Sequence, residues 1–209
     1  MSWQLNEVAT GRPWGLHVRQ LPCLIHGQAG SGASFATIII TANLVRRGES
    51  VVFLCSRGQA VRSLQHELGL QRPAIKTDQV TGRDVPALAD SRLVTIFHRS
   101  SRQLGRLLRA LTDWRERVVV IKNIEDTLHQ DLWSMVSSHQ ELIISGDVSR
   151  VTVGLPTKHF KTGLAFSNWP ASYSWTRGAE PHYVGTFHDG RQRRKILAVE
   201  RQAGEPIVD

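Results

Sequence analysis

His26-Gly27-Gln28-Ala29-Gly30-Ser31-Gly32-Ala33-Ser34 is the stretch that decides the fold. It has the frame of a glycine, four residues, a second glycine and two more, entered from the apolar run 21–26 and followed by a helical stretch over 34–47. Glycines permit the tight turn, successive backbone N–H groups point inward, and the helix N-terminus adds positive potential, so this arrangement suits a phosphate. In a working loop the seventh position is a lysine that reaches the β- and γ-phosphates, and the eighth is a hydroxyl for magnesium. Here those positions are Ala33 and Ser34. Gly27, Gly30, Ser31, Gly32, Ala33 and Ser34 are therefore candidate nucleotide- or anion-binding residues. A glycine-rich strand-to-helix turn that binds nothing is the alternative these residues leave open.

Outward from the loop, short β-branched runs alternate with helical stretches. Strands are expected at 50–55, 92–98, 117–121 and 141–145, and helices at 59–68 and 101–114. Continuous apolar strands between helices predict a mainly parallel sheet covered on both faces. After Val151 the pattern changes to runs at 164–167, 183–188 and 191–199, with Asp189-Gly190 as a hairpin signal between the last two. The expected architecture is one α/β domain over 1–209: a parallel three-layer core over 1–150 and an antiparallel extension over 151–209 ending in a hairpin. Trp169, Tyr173 and Trp175, beside Pro170 and Arg177, fall in a stretch without clear pattern. Core cover or a subunit interface is the expected role of these aromatics, with base stacking the alternative.

The glycine loop, the helix after it, Arg46-Arg47-Gly48-Glu49, the strand Val51-Val52-Phe53-Leu54 and the helix ending Leu68-Gly69-Leu70 together resemble the RecA/KaiC-like branch of P-loop ATPases. The likeness covers roughly residues 20–150, more loosely through 118–126, and the late hairpin is similar too. The resemblance implies a RecA-like three-layer fold, with the nucleotide site commonly at a subunit interface. It also implies a catalytic glutamate just after the second strand and a magnesium-holding aspartate at the end of an apolar strand. The matching residues are Arg57 and Lys122, with Asn123 where a serine is common and with Glu125 and Asp126 a few residues late. A lysine repels the metal that this position would hold. With the loop lysine absent and both acidic positions basic, the chain reads as a degenerate member, a pseudo-ATPase without standard Mg-ATP hydrolysis. If Arg57 and Lys122 both face the loop, they supply the charge that Ala33 lacks, and the pocket holds ATP or another phosphate-bearing anion without strong magnesium dependence. Glu125 or Asp126 swinging into the acidic role, or ordinary salt bridges for both basic residues, are the other readings.

Arg99, Arg102, Arg106 and Arg109 recur at spacings that place them within about 80° of one another on a helix, opposite Leu104, Leu107, Leu108 and Leu111. Such a row suits a phosphate backbone or an acidic protein surface, the alternative being a solvated helix face. Arg191, Arg193 and Lys195 would share one face of the last strand, with Arg194 on the other, as a second nucleic-acid or partner surface or a basic edge that blocks aggregation.

Bulk properties agree with a basic globular chain. Of 209 residues, 26 are Lys or Arg and 18 Asp or Glu, a net charge of +8, which favours an acidic partner, nucleic acid being the commonest. Cys23 and Cys55 both lie in apolar runs and read as buried thiols of a reducing compartment. No apolar run approaches the roughly 20 residues of a membrane helix, and residues 1–13 lack the order of a secretory leader. A cytoplasmic location without membrane contact is expected. No histidine pair stands at metal spacing and no nucleophile elbow occurs, so neither a metal centre nor a hydrolase triad is expected. The leading expectation is a non-hydrolysing scaffold or regulator associated with DNA recombination, repair or transfer. It would form a homo-oligomer or pair with a RecA-like relative. A divergent active ATPase driving recombination or DNA translocation, or an ATP or anion sensor, are the alternatives.

Overall fold

In the computed structural model, residues 3–69, 91–166 and 184–200 are described. Ten strands form one sheet in the order β2-β1-β10-β9-β8-β3-β7-β6-β4-β5. The parallel part comprises β3 (Cys23–Gly27), β4 (Val51–Cys55), β5 (Leu93–Phe97), β6 (Val118–Lys122), β7 (Leu142–Gly146) and β8 (Thr162–Phe166). The antiparallel part adds β9 (Val184–His188), β10 (Arg193–Glu200), β1 (Trp3–Glu7) and the short β2 (Pro13–Trp14).

Every residue of β4, β6 and β7 is buried, because side chains that alternate along each strand meet helices on both sides. Cys23, Ile25, Val51, Phe53 and Val120 pack under α1 (Ala33–Arg46) and α2 (Gly58–Glu67). Leu24, Val52, Leu54, Val119 and Ile121 pack under α3 (Ser101–Ala110), α4 (Ile124–Thr127) and α5 (Gln130–Val136). The result is the expected three-layer α/β fold with a mainly parallel sheet and a C-terminal antiparallel hairpin. Helix α1 is buried almost all round, and its polar Thr37 and Thr41 satisfy themselves by donating to Ala33 O and Thr37 O at 2.8 and 2.7 Å.

Four details differ from the sequence reading. Strand β8 runs parallel to β3, so the parallel part extends past residue 150, and the antiparallel part begins at β9. The N-terminal strand β1 pairs with β10. It was not foreseen, because Trp3-Gln4-Leu5-Asn6-Glu7 carries too few apolar residues to signal a strand alone. Helix α3 stops at Ala110, since Leu111 turns extended (φ −81°, ψ 103°) to bury its side chain, and Trp114–Glu116 form a separate 3-10 turn. In the hairpin, residues 189–192 form the turn between paired His188 and Arg193, so Arg191 lies in the turn and not in the strand. Asp189 Oδ1 accepts from the backbone N–H groups of Gln192 and Arg191 at 2.9 and 3.1 Å, and Gly190 takes the left-handed conformation. Trp169, Tyr173, Trp175 and Arg177 lie outside the described residues. No described helix is long and apolar enough to cross a membrane.

Candidate functional site

The glycine loop links the end of β3 to the start of α1. At Gly27 a Cβ would lie 2.9 Å from Phe166 O and against Ser31 Oγ, so β8 packs too closely for any other residue. Gly30 and Gly32 have φ of 82° and 96°, which turn the chain into α1. Ser31 N donates to Gln28 O at 3.1 Å, closing the turn. Among the described residues, the backbone N–H groups of Gly32, Ala33 and Ser34 have no acceptor, as the first turn of a helix requires. Unpartnered N–H groups at a helix N-terminus favour an anion. Ala33 is buried at 4% exposure and brings no charge, whereas Ser34 is exposed.

Charge enters from β6. Lys122 is the last residue of that strand, opposite Cys55 in register, and is only 6% exposed. Its Nζ donates to Ser34 Oγ at 3.1 Å and to Asn123 Oδ1 at 3.1 Å. Burial pulls the Lys122 ammonium below its ordinary value; Cys55 and Glu125 oppose that shift and Arg57 adds to it. The Cys55 thiol is itself pushed up to about 12, chiefly by burial, so it offers no thiolate to balance the ammonium. The hydroxyl that would coordinate magnesium therefore holds a tethered protein cation. Asn123 makes this possible: its left-handed backbone (φ 57°) ends β6 abruptly and starts α4 while its amide oxygen turns back to Lys122.

Arg57 goes elsewhere. It stands just before α2 with its side chain 55% exposed, and its Nε donates to Asp126 Oδ2 at 2.8 Å. Its Nη2 contacts the same oxygen and lies 3.8 Å from Glu125 Oε1. Glu125 Oε2 in turn accepts from Asp147 N at 3.0 Å. The two basic residues thus part company, Lys122 onto the loop and Arg57 onto the acids of α4's first turn. Glu125 and Asp126 are engaged by Asp147 N and Arg57, respectively. The Asn123 and Asp126 partnerships were missed in the sequence; the signal available was their place directly after an apolar strand that ends in lysine.

Arg102, Arg106 and Arg109 are exposed on α3, while Leu104, Leu107, Leu108 and Leu111 are buried; Arg99 is exposed too but precedes the helix, because Ser100 is extended (φ −96°, ψ 119°), so it does not share the helical face that the spacing predicted. No ion pair forms on this row among the described residues; Arg109 Nε meets Met135 Sδ at 3.2 Å. On the hairpin, Arg191, Arg193 and Lys195 are exposed, and Arg194 takes the other face, bonding Gln192 Oε1 at 3.1 Å. The row and the hairpin do not join. Helix α3 packs beside the edge strand β5, and β10 lies seven strand spacings away, about 34 Å at the usual spacing.

No protein-family model matches this chain, and no curated protein matches its sequence. Solved structures do. The genome packaging NTPase B204 from Sulfolobus turreted icosahedral virus 2, in complex with ATP-gammaS, is similar at a TM-score of 0.55 and 11% identity, over 87% of this chain and 98% of that one. The pCW3 conjugation coupling protein TcpA, in monomer form with ATP-gammaS, is similar at a TM-score of 0.50 and 10% identity, over 94% of this chain. This chain spans 65% of the coupling protein's length. The strand order, the glycine loop at the end of β3 and these likenesses agree: the chain has the fold of the P-loop NTPases.

Proposed function

We propose that this chain is a non-hydrolysing, RecA-like subunit that scaffolds or regulates a complex acting on nucleic acid. The observation that carries this reading is the Lys122 ammonium bonded to Ser34 Oγ. A fixed positive charge there repels magnesium and occupies the hydroxyl that would bind it. Phosphoryl transfer relies on positioned charge, and losing even one preorganised donor costs on the order of 10²–10³ in rate. This loop has alanine in place of its lysine, and arginine and lysine at the positions expected for the two carboxylates. What it retains, the free N–H groups of α1 and a neighbouring ammonium, suits a phosphate-bearing anion such as ATP, held without magnesium.

The nucleic-acid part rests on the net charge of +8 and on the exposed arginines Arg102, Arg106 and Arg109 of α3, with Arg99 just before the helix. It is supported by two similar structures that are a genome packaging NTPase and a conjugation coupling protein. Assembly with a second copy or with a RecA-like relative belongs to the same proposal.

Phosphate release from Mg-ATP, with and without DNA, tests it. The expected result is no turnover above background under either condition. Turnover in the wild type that disappears in Ser34→Ala would establish a divergent ATPase instead.

A further inference from the structure

A cleft of about 350 Å³ opens at the far end of α1 from the glycine loop, where β1, β2 and the 3-10 turn Val18–Gln20 pass over the helix C-terminus. Its lining includes Arg12, Arg19, Arg47 and Arg194 with His17, against a single carboxylate, Glu7. The chain neutralises the neighbouring Arg46 in the usual way, through Glu67 at 3.1 Å. Arg47 has no such acid. Its guanidinium packs on Gly15, where a Cβ would sit 3.0 Å from Arg47 Cζ, and Nη1 donates to Leu16 O at 3.3 Å. Arg194 is 4.0 Å from Glu7. The side chains of Arg12 and Arg19 engage no acceptor among the described residues. Burial first, and then Arg47 and Arg19, hold the His17 imidazole below its ordinary value, which registers the positive potential of the cleft.

We propose that this cleft is a second anion site, which binds a phosphate-bearing ligand through the guanidinium groups of Arg12, Arg19 and Arg47. Arginine presents planar paired donors that match phosphate oxygens, and the cleft's volume suits a small ligand or one stretch of backbone. Trp14 is buried against Phe187, with ring centroids 4.9 Å apart, so it offers no platform for a base. Recognition is of the phosphate and not of the nucleobase. The site is independent of the glycine loop: the 14 residues of α1 separate the two, about 21 Å at the rise of an α-helix.

The experiment measures pyrophosphate and short labelled single-stranded DNA on the full chain, comparing wild type, Arg12→Gln/Arg19→Gln and Lys122→Met. Both replaced arginines are exposed and bear no internal side-chain bond, so circular dichroism should show the double variant folded. The expected result is a loss of about tenfold or more in the double variant and little change at this site in Lys122→Met. Loss of pyrophosphate affinity, with a rise of the wild-type His17 pKa on adding pyrophosphate, identifies a free phosphate ligand. Loss confined to DNA, with pyrophosphate unable to compete, identifies a nucleic-acid backbone. Unchanged affinity for both probes in the double variant overturns the proposal. Because Lys122→Met disables only the loop, this outcome is distinguishable from failure of the function proposed above.

Discussion

Lys122 Nζ and Ser34 Oγ lie 3.1 Å apart, joining the last residue of β6 to the first turn of α1. The bond spans the two elements that, in a working P-loop site, hold a magnesium ion between them. Asn123 Oδ1 fixes the ammonium from the other side at 3.1 Å. The cation is thereby part of the fold and present without any ligand.

Burying that ammonium costs stability, and the cost depends on pH. Below the depressed folded value both states carry the proton and the penalty is complete. Between that value and the ordinary lysine value of about 10.4, the unfolded chain binds more protons than the folded one, so wild-type stability rises with pH. Methionine has no such dependence. Lys122→Met should be more stable than wild type at neutral pH, by on the order of 1 kcal/mol, and the gap should close toward alkaline pH. Denaturant titrations at several pH values check this; a less stable variant at neutral pH, or a gap independent of pH, would contradict it.

Arg57 behaves as a surface residue. Its partner Asp126 is 37% exposed and Arg57 is 55% exposed, a setting in which an ion pair contributes about 0–1 kcal/mol. Arg57→Gln should therefore shift the unfolding midpoint only slightly. Arg57→Glu alone should restore no ATP turnover, because Lys122 still holds Ser34. A loss of several kcal/mol in the first variant, or turnover in the second, would show that Arg57 has another role.

The arginines of α3, with Arg99 just before it, should act through phosphate contacts. Replacing Arg99, Arg102, Arg106 and Arg109 by glutamine should weaken DNA binding at low salt. It should also reduce the slope of log affinity against log salt by roughly 0.9 for each lost contact. The hairpin lies too far off to share a small footprint, so Arg193→Gln/Lys195→Gln should act additively with the row. An unchanged slope in the α3 variant would remove this helix from any nucleic-acid surface.

The glycine loop and the strands at 51–55, 118–122 and 142–146 were legible because fully buried parallel strands read as unbroken apolar runs. The leucine and arginine faces of α3 were legible from helical period. Strand β1 was not: only Leu5 and Trp3 point to the core side, and its partner β10 lies nearly the whole chain away. The end of α3 at Ala110 has no glycine or proline to announce it. The sequence places Lys122 and Arg57 directly after apolar runs, but their different destinations were hidden, since these depend on the left-handed Asn123 and on where α4 places Asp126. The arginine cleft was hidden for the same reason, being assembled from β1–β2, the α1 C-terminus and β10.

The most direct test is the magnesium dependence of ATP binding by wild type and Lys122→Asp, measured by calorimetry in excess magnesium and in EDTA. Magnesium should bring no gain in wild-type binding, and Lys122→Asp, by freeing Ser34 and supplying a carboxylate, should acquire such a gain. Magnesium-strengthened binding in the wild type that is lost in Ser34→Ala would contradict this.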